Sequence, residues 1–258
     1  METNLCVEIL PVLQDNYIFL LHDKDSAKTA VVDPAEATPV LNILKRYSWK
    51  LDYIWNTHHH SDHVGGNLEL KRETHCSIIG SAKDSSRIPG IDIELKESDS
   101  FKLGPHTIKI LETPGHTNGA ISFWVPTESL LFCGDTLFSM GCGRLFEGSP
   151  QSMWTSLEKI KALPAETKIY CTHEYTLANG EFALSVDPDN IAIHQRIAQV
   201  KSLRKQNLPS IPSLLSIEKK INPFLRADNP ILRMSLGMEH HEDWEVFAKL
   251  RSSKDSFS

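Results

Sequence analysis

A dense group of metal-ligand side chains occupies residues 57–63, which read Thr-His-His-His-Ser-Asp-His. His58 and His60 are two residues apart, so their side chains point the same way only if the chain is extended there. Asp62 and His63 follow at the point where the chain must turn towards a helix. The first pair can bind one ion, which leaves the second pair directed at another ion nearby. These four side chains exceed what one open catalytic zinc requires, and their spacing predicts a two-metal centre.

Three further candidate ligands each follow a short apolar or β-branched run that is typical of a strand: His116, Asp135 and His173. A Pro-Gly pair before His116 and a Gly before Asp135 end a strand and let the backbone approach a ligand closely. Each short motif alone is usually a turn. Because they occur together with the His-x-His-x-Asp-His run, we expect strand ends to deliver all of these ligands to one rim.

The other histidines lack this context. His59 is flanked by ligands, but alternation along an extended chain points it the opposite way, so we exclude it from the ligand set. The remaining six are predicted to be surface or hydrogen-bonded core residues: His22, His75, His106, His194, His240 and His241.

Composition limits the classes of partner. The formal charge of -6 argues against a nucleic-acid-binding protein, because phosphate binding needs a basic surface. An anionic substrate must therefore meet a local cluster of Arg and Lys. The first residues lack the basic start of a signal peptide, and no apolar run approaches a transmembrane length, so we expect a cytoplasmic protein that does not bind membranes. We also expect a monomer.

The five cysteines form no Cys-x-x-Cys pair, which is typical of reduced thiols. Cys142 lies between two glycines beside the expected site and is a conceivable nucleophile. We do not assign it that role, because no base is evidently paired with it and a metal-activated water already supplies a nucleophile.

The pattern of secondary structure changes near residue 175. Before it, strands alternate with helices, two of which are predicted to open at Thr38-Pro39 and Ser149-Pro150. After it, strand signals nearly vanish: 189–206 is predicted to form a long helix, 243–250 a second one, and 252–258 a frayed end. We therefore predict a catalytic domain over residues 1–174 and a helical substrate-binding domain over residues 175–258.

Several motifs resemble those of one enzyme family. The ligand pattern is similar to that of metallo-β-lactamase-fold hydrolases. Within that superfamily the chain resembles the glyoxalase II (hydroxyacylglutathione hydrolase) family, in Gly-Cys-Gly-Arg-Leu-Phe-Glu-Gly at 141–148, in Thr-His-Glu-Tyr-Thr-Leu-Ala-Asn at 172–179 and in Asn-Pro-Phe-Leu-Arg at 222–226. The resemblance implies an α+β fold, a four-layer αβ/βα sandwich followed by a small C-terminal helical domain.

The resemblance also implies a cofactor and a division of the ligands. Two divalent ions are expected, most simply Zn²⁺, although His and Asp ligands also accept Fe or Mn. The first ion would be held by three histidines, the second by an aspartate and two histidines, and one aspartate would bridge both. In that order the ligands are His58, His60 and His116; Asp62, His63 and His173; and Asp135.

Asp33 matches a superfamily position that supports the ligands from behind. An ordinary turn aspartate before Pro34 explains the same residue equally well.

The implied activity is hydrolysis of the thioester S-D-lactoylglutathione to glutathione and D-lactate, the second step of methylglyoxal detoxification. A hydroxide bridging the metals would attack, Asp62 would orient it, and the thiolate would leave without a strong acid, because a thiol has a pKa near 8.5. Asp62 and Asp135 are thus the expected catalytic residues.

By resemblance, glutathione would be held by Arg144, Phe146, Tyr175 and Arg226. Some family members carry Lys and Tyr where Arg144 and Phe146 stand, so a phenolic hydrogen bond is lost here. Some also have a Lys three residues beyond the Arg, where this chain has Asn229. For Arg226 alone, a solvated surface arginine is the competing interpretation.

Two other functions remain open at this point. One is a persulfide dioxygenase of the same fold that uses a single iron. The other is a binding or structural protein that uses the scaffold without turnover. Metal content with oxygen uptake would distinguish the first, and inactivity on every thioester would support the second.

Overall fold

The computed structural model describes residues 4–257, and the chain forms two compact units. Unit 1 comprises the chain up to Glu112 together with Gly119–Gly134, and unit 2 comprises Thr113–Asn118 and the chain from Asp135 onwards. Each unit contains its own core and part of the predicted ligand set.

The first sheet of unit 1 runs in the order β1-β2-β3-β4-β5-β6. β1 to β3 pair antiparallel, and β3 to β6 pair parallel. Alternate residues of β2 are buried on opposite faces, as expected for a strand covered on both sides. The strands are β1 (Leu5–Val12), β2 (Asn16–Asp23), β3 (Lys28–Val32), β4 (Tyr53–Trp55), β5 (Ser77–Ser81) and β6 (Ile93–Leu95).

The helices of unit 1 cover one face of this sheet. α1 (Ala37–Tyr47) and α3 (Asn67–Thr74) place Val40, Leu44 and Leu70 in a buried apolar cluster with side chains of the strands. The short helix α2 (Ser61–Val64) lies between them in sequence. Burial of this apolar face stabilises the unit through the hydrophobic effect.

The other strands of unit 1 form an antiparallel meander: β7 (Ser100–Leu103), β8 (His106–Glu112), β9 (Ile121–Val125) and β10 (Leu130–Gly134). Trp55 of β4 packs against them from the first sheet: the distance between ring centroids is 5.2 Å for Trp55 and Phe101 and 5.3 Å for Trp55 and Phe123. Phe19 lies 5.6 Å from Phe132 in the same way. The core of unit 1 therefore includes an aromatic layer between its two sheets, in addition to the apolar cluster under its helices.

Unit 2 is mainly helical and contains two short strand pairings. β11 (Leu137–Phe138) pairs with β12 (Gly141–Cys142), and β13 (Lys168–Cys171) pairs with β14 (Ser213–Leu214), both antiparallel. The helices are α4 (Pro150–Lys161), α5 (Thr176–Val186), α6 (Ile191–Lys205), α7 (Leu215–Ile221), α8 (Pro230–Leu236) and α9 (Asp243–Asp255).

Helix starts agree with the sequence where a side chain caps the helix. Ser149 caps α4 in a capping box with Ser152, as predicted. α1 begins one residue before Thr38, with Glu36 as its N-cap and no side-chain cap bond, so the predicted cap was wrong. The helix predicted over 243–250 is present as α9, which continues to Asp255, so residues 252–255 of the predicted frayed end are helical; Arg251 on the buried face of α9 bonds Asp255. Ser258, the last residue of that prediction, lies outside the described residues.

No helix among residues 4–257 combines the length and the apolar character needed to cross a membrane.

Candidate metal centre

The first half of the predicted ligand set follows β4 in unit 1. His60 has extended backbone and is the N-cap of α2, which contains Asp62 in its first turn. His58 Nε2 lies 3.1 Å from His60 Nδ1, and the rings of His58 and His63 are 3.9 Å apart. The predicted change from extended chain to helix is therefore present, and it places the first pair of nitrogens side by side.

Asp33 supports this group from behind. Its Oδ2 lies 3.0 Å from His63 Nδ1 and accepts a hydrogen bond from Thr57 Oγ1 at 2.6 Å, while its Oδ1 accepts from the Thr57 N–H at 2.8 Å. Asp33 is fully buried and has a φ of 48°, which is uncommon for a residue other than glycine. A simple turn aspartate would not need three buried contacts, so the supporting role is the better interpretation.

These contacts also select one nitrogen of each ring. His58 Nδ1 lies 3.1 Å from Thr57 Oγ1, and His63 Nδ1 faces Asp33. When Nδ1 is hydrogen-bonded in this way, Nε2 is the nitrogen that can bind a metal.

Asn16 was not predicted to take part. Its Nδ2 donates to Asp62 Oδ2 at 3.0 Å, and His63 Nε2 lies 3.5 Å from the same oxygen. Asn16 starts β2 directly after a turn, where asparagine is common, so its sequence position carries no functional signal. Its role is to orient the carboxylate of Asp62.

Replacement of Asp33 by Asn tests the supporting role. Asn keeps the shape and tolerates a positive φ, but it offers His63 and Thr57 only one acceptor oxygen. We expect Asp33→Asn to weaken metal affinity by about 10-fold to 100-fold, as is usual for such partners. Competition with a chelator measures this. If the metal affinity were unchanged, Asp33 would be an ordinary turn residue.

His59 points away from this group. Its Nδ1 lies 3.1 Å from Asp84 Oδ2, and Asp84 also accepts a hydrogen bond from Arg87. This orientation agrees with the exclusion of His59 from the ligand set. Two of the other histidines are buried core residues with partners: His22 Nδ1 is 2.9 Å from Thr29 Oγ1, and His106 Nε2 is 3.3 Å from Asp23 Oδ1.

The second half of the ligand set lies in unit 2. Asp135 Oδ2 is 3.5 Å from His116 Nε2 and 3.4 Å from His173 Nε2. His116 Nδ1 donates to the carbonyl oxygen of Arg144 at 2.8 Å, which again directs Nε2 to the ligand group. One carboxylate oxygen thus faces two imidazoles.

Glycines allow this arrangement at two positions. Gly134 has a φ of 50°, and a Cβ there would meet Thr57 Oγ1 at 2.3 Å. Gly115 has a φ of 152°, and a Cβ there would meet Met153 at 2.6 Å. Both therefore permit the close backbone approach that the sequence predicted.

The chemistry of the donor set fits divalent metal ions. The structure contains groups of His and Asp side chains that could hold such an ion. Two imidazole nitrogens that share one zinc in tetrahedral geometry are roughly 3.3 Å apart, since each Zn–N bond is about 2.0 to 2.1 Å. The spacing of 3.1 Å between the His58 and His60 nitrogens satisfies this requirement.

Unit 2 contains a cavity of about 460 Å³, a size typical of small-molecule sites. Its wall combines candidate metal ligands, aromatic rings and cationic side chains. It is lined by His116, Asp135, Phe138, Cys142, Gly143, Arg144, Phe146, Tyr175, Ala178, Asn179, Arg251, Lys254 and Phe257.

Three of the four predicted glutathione contacts line this cavity. The Tyr175 ring stacks on His173 at 4.8 Å, and the Phe146 ring lies 5.1 Å from that of His116. Arg144 is also part of the wall, and most of its side chain is exposed. These residues are therefore available to a bound molecule.

Arg226 is not among the residues that line the cavity. Its Nη1 forms an ion pair with Asp187 Oδ2 at 2.5 Å, and both side chains are largely buried. The Asn-Pro-Phe segment before it has a structural contact, because Asn222 Nδ2 donates to the Phe138 carbonyl at 3.0 Å. A direct contact between Arg226 and substrate stays a prediction.

The cavity instead presents two cations that the sequence analysis missed, Arg251 and Lys254. They have an Arg-x-x-Lys spacing, whereas Arg226 is followed three residues later by Asn229. Their spacing was the available signal, but Arg251 directly follows the helix predicted over 243–250 and Lys254 falls in the predicted frayed end of 252–258. Arg251 Nη2 donates to Asp255 Oδ1 at 2.8 Å, which fixes its guanidinium.

Cys142 is a poor nucleophile at neutral pH. Burial raises the pKa of its thiol to about 11, although the nearby Arg251 guanidinium acts in the opposite direction. The thiol is therefore protonated in the cavity wall at neutral pH, so Cys142 has no role as a nucleophile.

Comparison with known protein families covers nearly the whole chain. Residues 11–173 match the metallo-beta-lactamase superfamily, and residues 174–257 match the family described as hydroxyacylglutathione hydrolase C-terminus. Relatives named hydroxyacylglutathione hydrolase include one from Methylococcus capsulatus, 52% identical over 96% of this chain and 97% of its own length. Another, from Maricaulis maris, is 48% identical over 99% of this chain and 100% of its own length.

Solved structures support the fold. ETHE1 from Myxococcus xanthus has a TM-score of 0.71 at 20% identity, covering 98% of this chain and 92% of its own. The BLEG-1 B3 metallo-beta-lactamase has a TM-score of 0.60 at 26% identity, covering 65% of this chain and 91% of its own. The predicted fold class, an α+β metallo-β-lactamase fold followed by a C-terminal helical region, is confirmed.

Ligand-type side chains after successive strands, a cavity lined by two of them, and relatives that match from end to end lead to one assignment. The chain belongs to the hydroxyacylglutathione hydrolase family of the metallo-beta-lactamase superfamily.

Proposed function

We propose that this protein hydrolyses the thioester bond of S-(2-hydroxyacyl)glutathione, with S-D-lactoylglutathione as its substrate, to give glutathione and a 2-hydroxy acid. The observation that carries this proposal is the wall of the unit 2 cavity. It places two candidate metal ligands, His116 and Asp135, in the same cavity as the cations Arg251 and Lys254. A thioester that carries carboxylates needs both features.

The metal assignment rests on family membership and on the ligand groups of each unit. The first ion would be bound by His58, His60 and His116, the second by Asp62, His63 and His173, with Asp135 shared; zinc is the simplest choice. Support comes from the 3.1 Å spacing of the His58 and His60 nitrogens, and from the two imidazoles that face Asp135. Such ions supply a polarised carbonyl and an activated water at neutral pH.

The protein's own groups then bind and orient. Asn16 holds the Asp62 carboxylate, which would accept a hydrogen bond from the attacking water. A thiolate is a good leaving group, because a thiol has a pKa near 8.5, so the cavity needs no strong acid. The protonated Cys142 does not compete as a nucleophile.

The charged contacts with the substrate are assigned to the region after residue 174, the predicted helical substrate-binding domain of residues 175–258. α9 contributes Arg251 and Lys254, and the start of α5 contributes Tyr175. The carboxylates of glutathione would pair with the two cations, since charge-assisted hydrogen bonds are the strong ones. Phe138 and Phe146 would contact its apolar parts.

Lys254 gives a pH dependence. Burial and the nearby Arg251 lower the pKa of its ammonium below that of an ordinary lysine, Arg144 acts in the same direction, and Glu181 and Asp255 oppose the shift. Since an anion binds the charged form, we expect the KM for a glutathione thioester to rise as pH increases through this lowered pKa. Lys254→Arg keeps its charge, so its KM should stay flatter as pH rises towards the usual lysine pKa of about 10.4. If the KM values of wild type and Lys254→Arg changed with pH in the same way, Lys254 would not bind the substrate.

A hydrolysis assay with S-D-lactoylglutathione on metal-quantified protein tests the function. The expected result is turnover that is lost on chelation and restored by zinc. One bound iron with oxygen uptake on glutathione persulfide would favour the dioxygenase alternative, and inactivity on every thioester would favour a binding protein.

The proposal extends to the cellular setting. The five cysteines are free thiols, which agrees with a reducing compartment such as the cytoplasm. We propose that the protein acts there as a monomer on a small-molecule substrate. Fractionation of cells and sedimentation of the purified protein would test these two points.

A further inference from the structure

A small hairpin in unit 2 builds one wall of the cavity. This wall hairpin consists of β11 and β12 with the turn residues Ser139 and Met140 between them. It contributes Phe138 and Cys142 to the cavity. Paired strands of this length are not stable alone in water, so something outside the hairpin must hold it in shape.

The buried carboxyl group of Glu218 contacts the turn of the wall hairpin. Its Oε1 accepts a hydrogen bond from Ser139 Oγ at 2.8 Å, and its Oε2 accepts one from the Met140 N–H at 2.8 Å. Ser213 Oγ also donates to Oε1, at 2.5 Å. Glu218 is 0% exposed, and a carboxyl group is buried at this depth only when its oxygens are satisfied.

Two amide side chains extend the same network. Asn222 Nδ2 donates to the carbonyl oxygens of Phe138 and Gly141, both at 3.0 Å, and Asn179 Nδ2 donates to the Ser139 carbonyl at 3.2 Å. Side chains from α5, α7 and the residue after α7 therefore bond the backbone of the hairpin, where a sheet would otherwise supply partners.

The turn has an unfavourable backbone conformation that this network maintains. Met140 has a φ of 55°, which a side chain with a Cβ adopts only at a cost. The Met140 N–H is the group that Glu218 bonds. Loss of this contact would let the turn relax to an ordinary conformation.

The hairpin in turn positions groups of the cavity. The Phe138 ring lies 5.4 Å from that of Tyr175, and the Cys142 carbonyl accepts a hydrogen bond from Arg251 Nη1 at 2.8 Å. A shift of the hairpin therefore displaces both an aromatic wall and one of the two cations.

We infer that Glu218 is a positioning residue for substrate binding: its carboxyl group holds the wall hairpin so that Phe138 and Arg251 meet the glutathione part of the substrate. This inference rests on the proposed function for its substrate. Glu218 does not itself line the cavity, so it acts only through the hairpin.

Two serines provide a matched pair of variants, because both donate to the same oxygen of Glu218. Ser139 belongs to the hairpin, whereas Ser213 belongs to β14. Ser139→Ala and Ser213→Ala each remove one hydroxyl at Glu218. Glu218→Gln removes one acceptor oxygen from the network while keeping its size.

The experiment combines kinetics with amide hydrogen exchange. For metal-loaded Glu218→Gln and Ser139→Ala, we expect the KM for S-D-lactoylglutathione to rise about tenfold with kcat nearly unchanged, a loss of uniform binding. Amides of residues 137–143 should exchange faster in these two proteins, while those of α4 keep their protection. Ser213→Ala should keep the wild-type KM.

Other outcomes would overturn the inference. One is an unchanged KM in Glu218→Gln, and another is an equal rise of KM in Ser139→Ala and Ser213→Ala. The third is loss of exchange protection throughout unit 2, which would show that Glu218 has a purely structural role. The proposed function fails separately, if wild-type protein hydrolyses no glutathione thioester. In that case, hydrogen exchange and the affinity for S-methylglutathione, compared between wild type and the variants, still test whether Glu218 positions the hairpin.

Discussion

Asp135→Ala is expected to reduce kcat by about a thousandfold and to lower the metal content of the purified protein. The carboxylate lies within 3.5 Å of both His116 Nε2 and His173 Nε2, so its loss disturbs two ligand positions together. Metal ions in hydrolases contribute several kcal/mol of transition-state stabilisation, and about 4 kcal/mol corresponds to roughly a thousandfold in rate. Metal analysis and steady-state kinetics measure both effects.

Asp228→Ala is the matched control for this substitution. Asp228 is also an aspartate of unit 2, but it is half-exposed and pairs with Lys161 on the surface. It should keep normal metal content and turnover, because surface ion pairs contribute little. If Asp135→Ala retained two ions per chain with near-normal turnover, the shared-ligand role would be wrong.

Arg251→Ala is expected to raise the KM for S-D-lactoylglutathione by about 10-fold to 150-fold and to leave kcat nearly unchanged. A charge-assisted hydrogen bond is worth about 1.5 to 3 kcal/mol, which corresponds to this range. A contact with a substrate carboxylate that is remote from the reacting carbonyl affects the ground state and the transition state alike. Steady-state kinetics separates the two parameters.

Arg226→Ala is the comparison that decides between the two arginines. Both side chains are largely buried and both pair with an aspartate, Asp187 for Arg226 and Asp255 for Arg251, but only Arg251 lines the cavity. Arg226→Ala should therefore change stability more than KM.

A thioester that lacks the glycine carboxylate gives a second control. Wild type and Arg251→Ala should differ little on it. If KM increased in Arg226→Ala but not in Arg251→Ala, Arg226 would be the glutathione contact, as the resemblance implies.

The candidate metal ligands could be predicted because they are local in sequence. The His-x-His-x-Asp-His run changes from extended chain to helix within the run itself, and the structure contains that change at His60. His116 follows β8, Asp135 follows β10 and His173 follows β13, as the apolar runs predicted. Strand periodicity and breaker residues are short-range properties, which a single sequence contains in full.

The substrate contacts were harder to predict, because they depend on which helix faces the cavity. Arg226 follows a conspicuous Asn-Pro-Phe segment, yet the contacts of Asn222 with the wall hairpin explain that segment, and Asp187 takes the guanidinium. Arg251 directly follows the helix predicted over 243–250, and Lys254 lies in a stretch of serines and charges for which composition alone predicts fraying. Their packing makes it a helix that lines the cavity.

The sequence by itself determined the ligand types, the strands that precede them, the acidic balance and the family. Only the tertiary structure decided which residues support the ligands and which cations reach the cavity. Asp33, Asn16 and Glu218 acquire their roles through partners 24 to 79 residues away along the chain. Such pairings depend on how packed elements bring distant side chains together, and local periodicity contains no information about them.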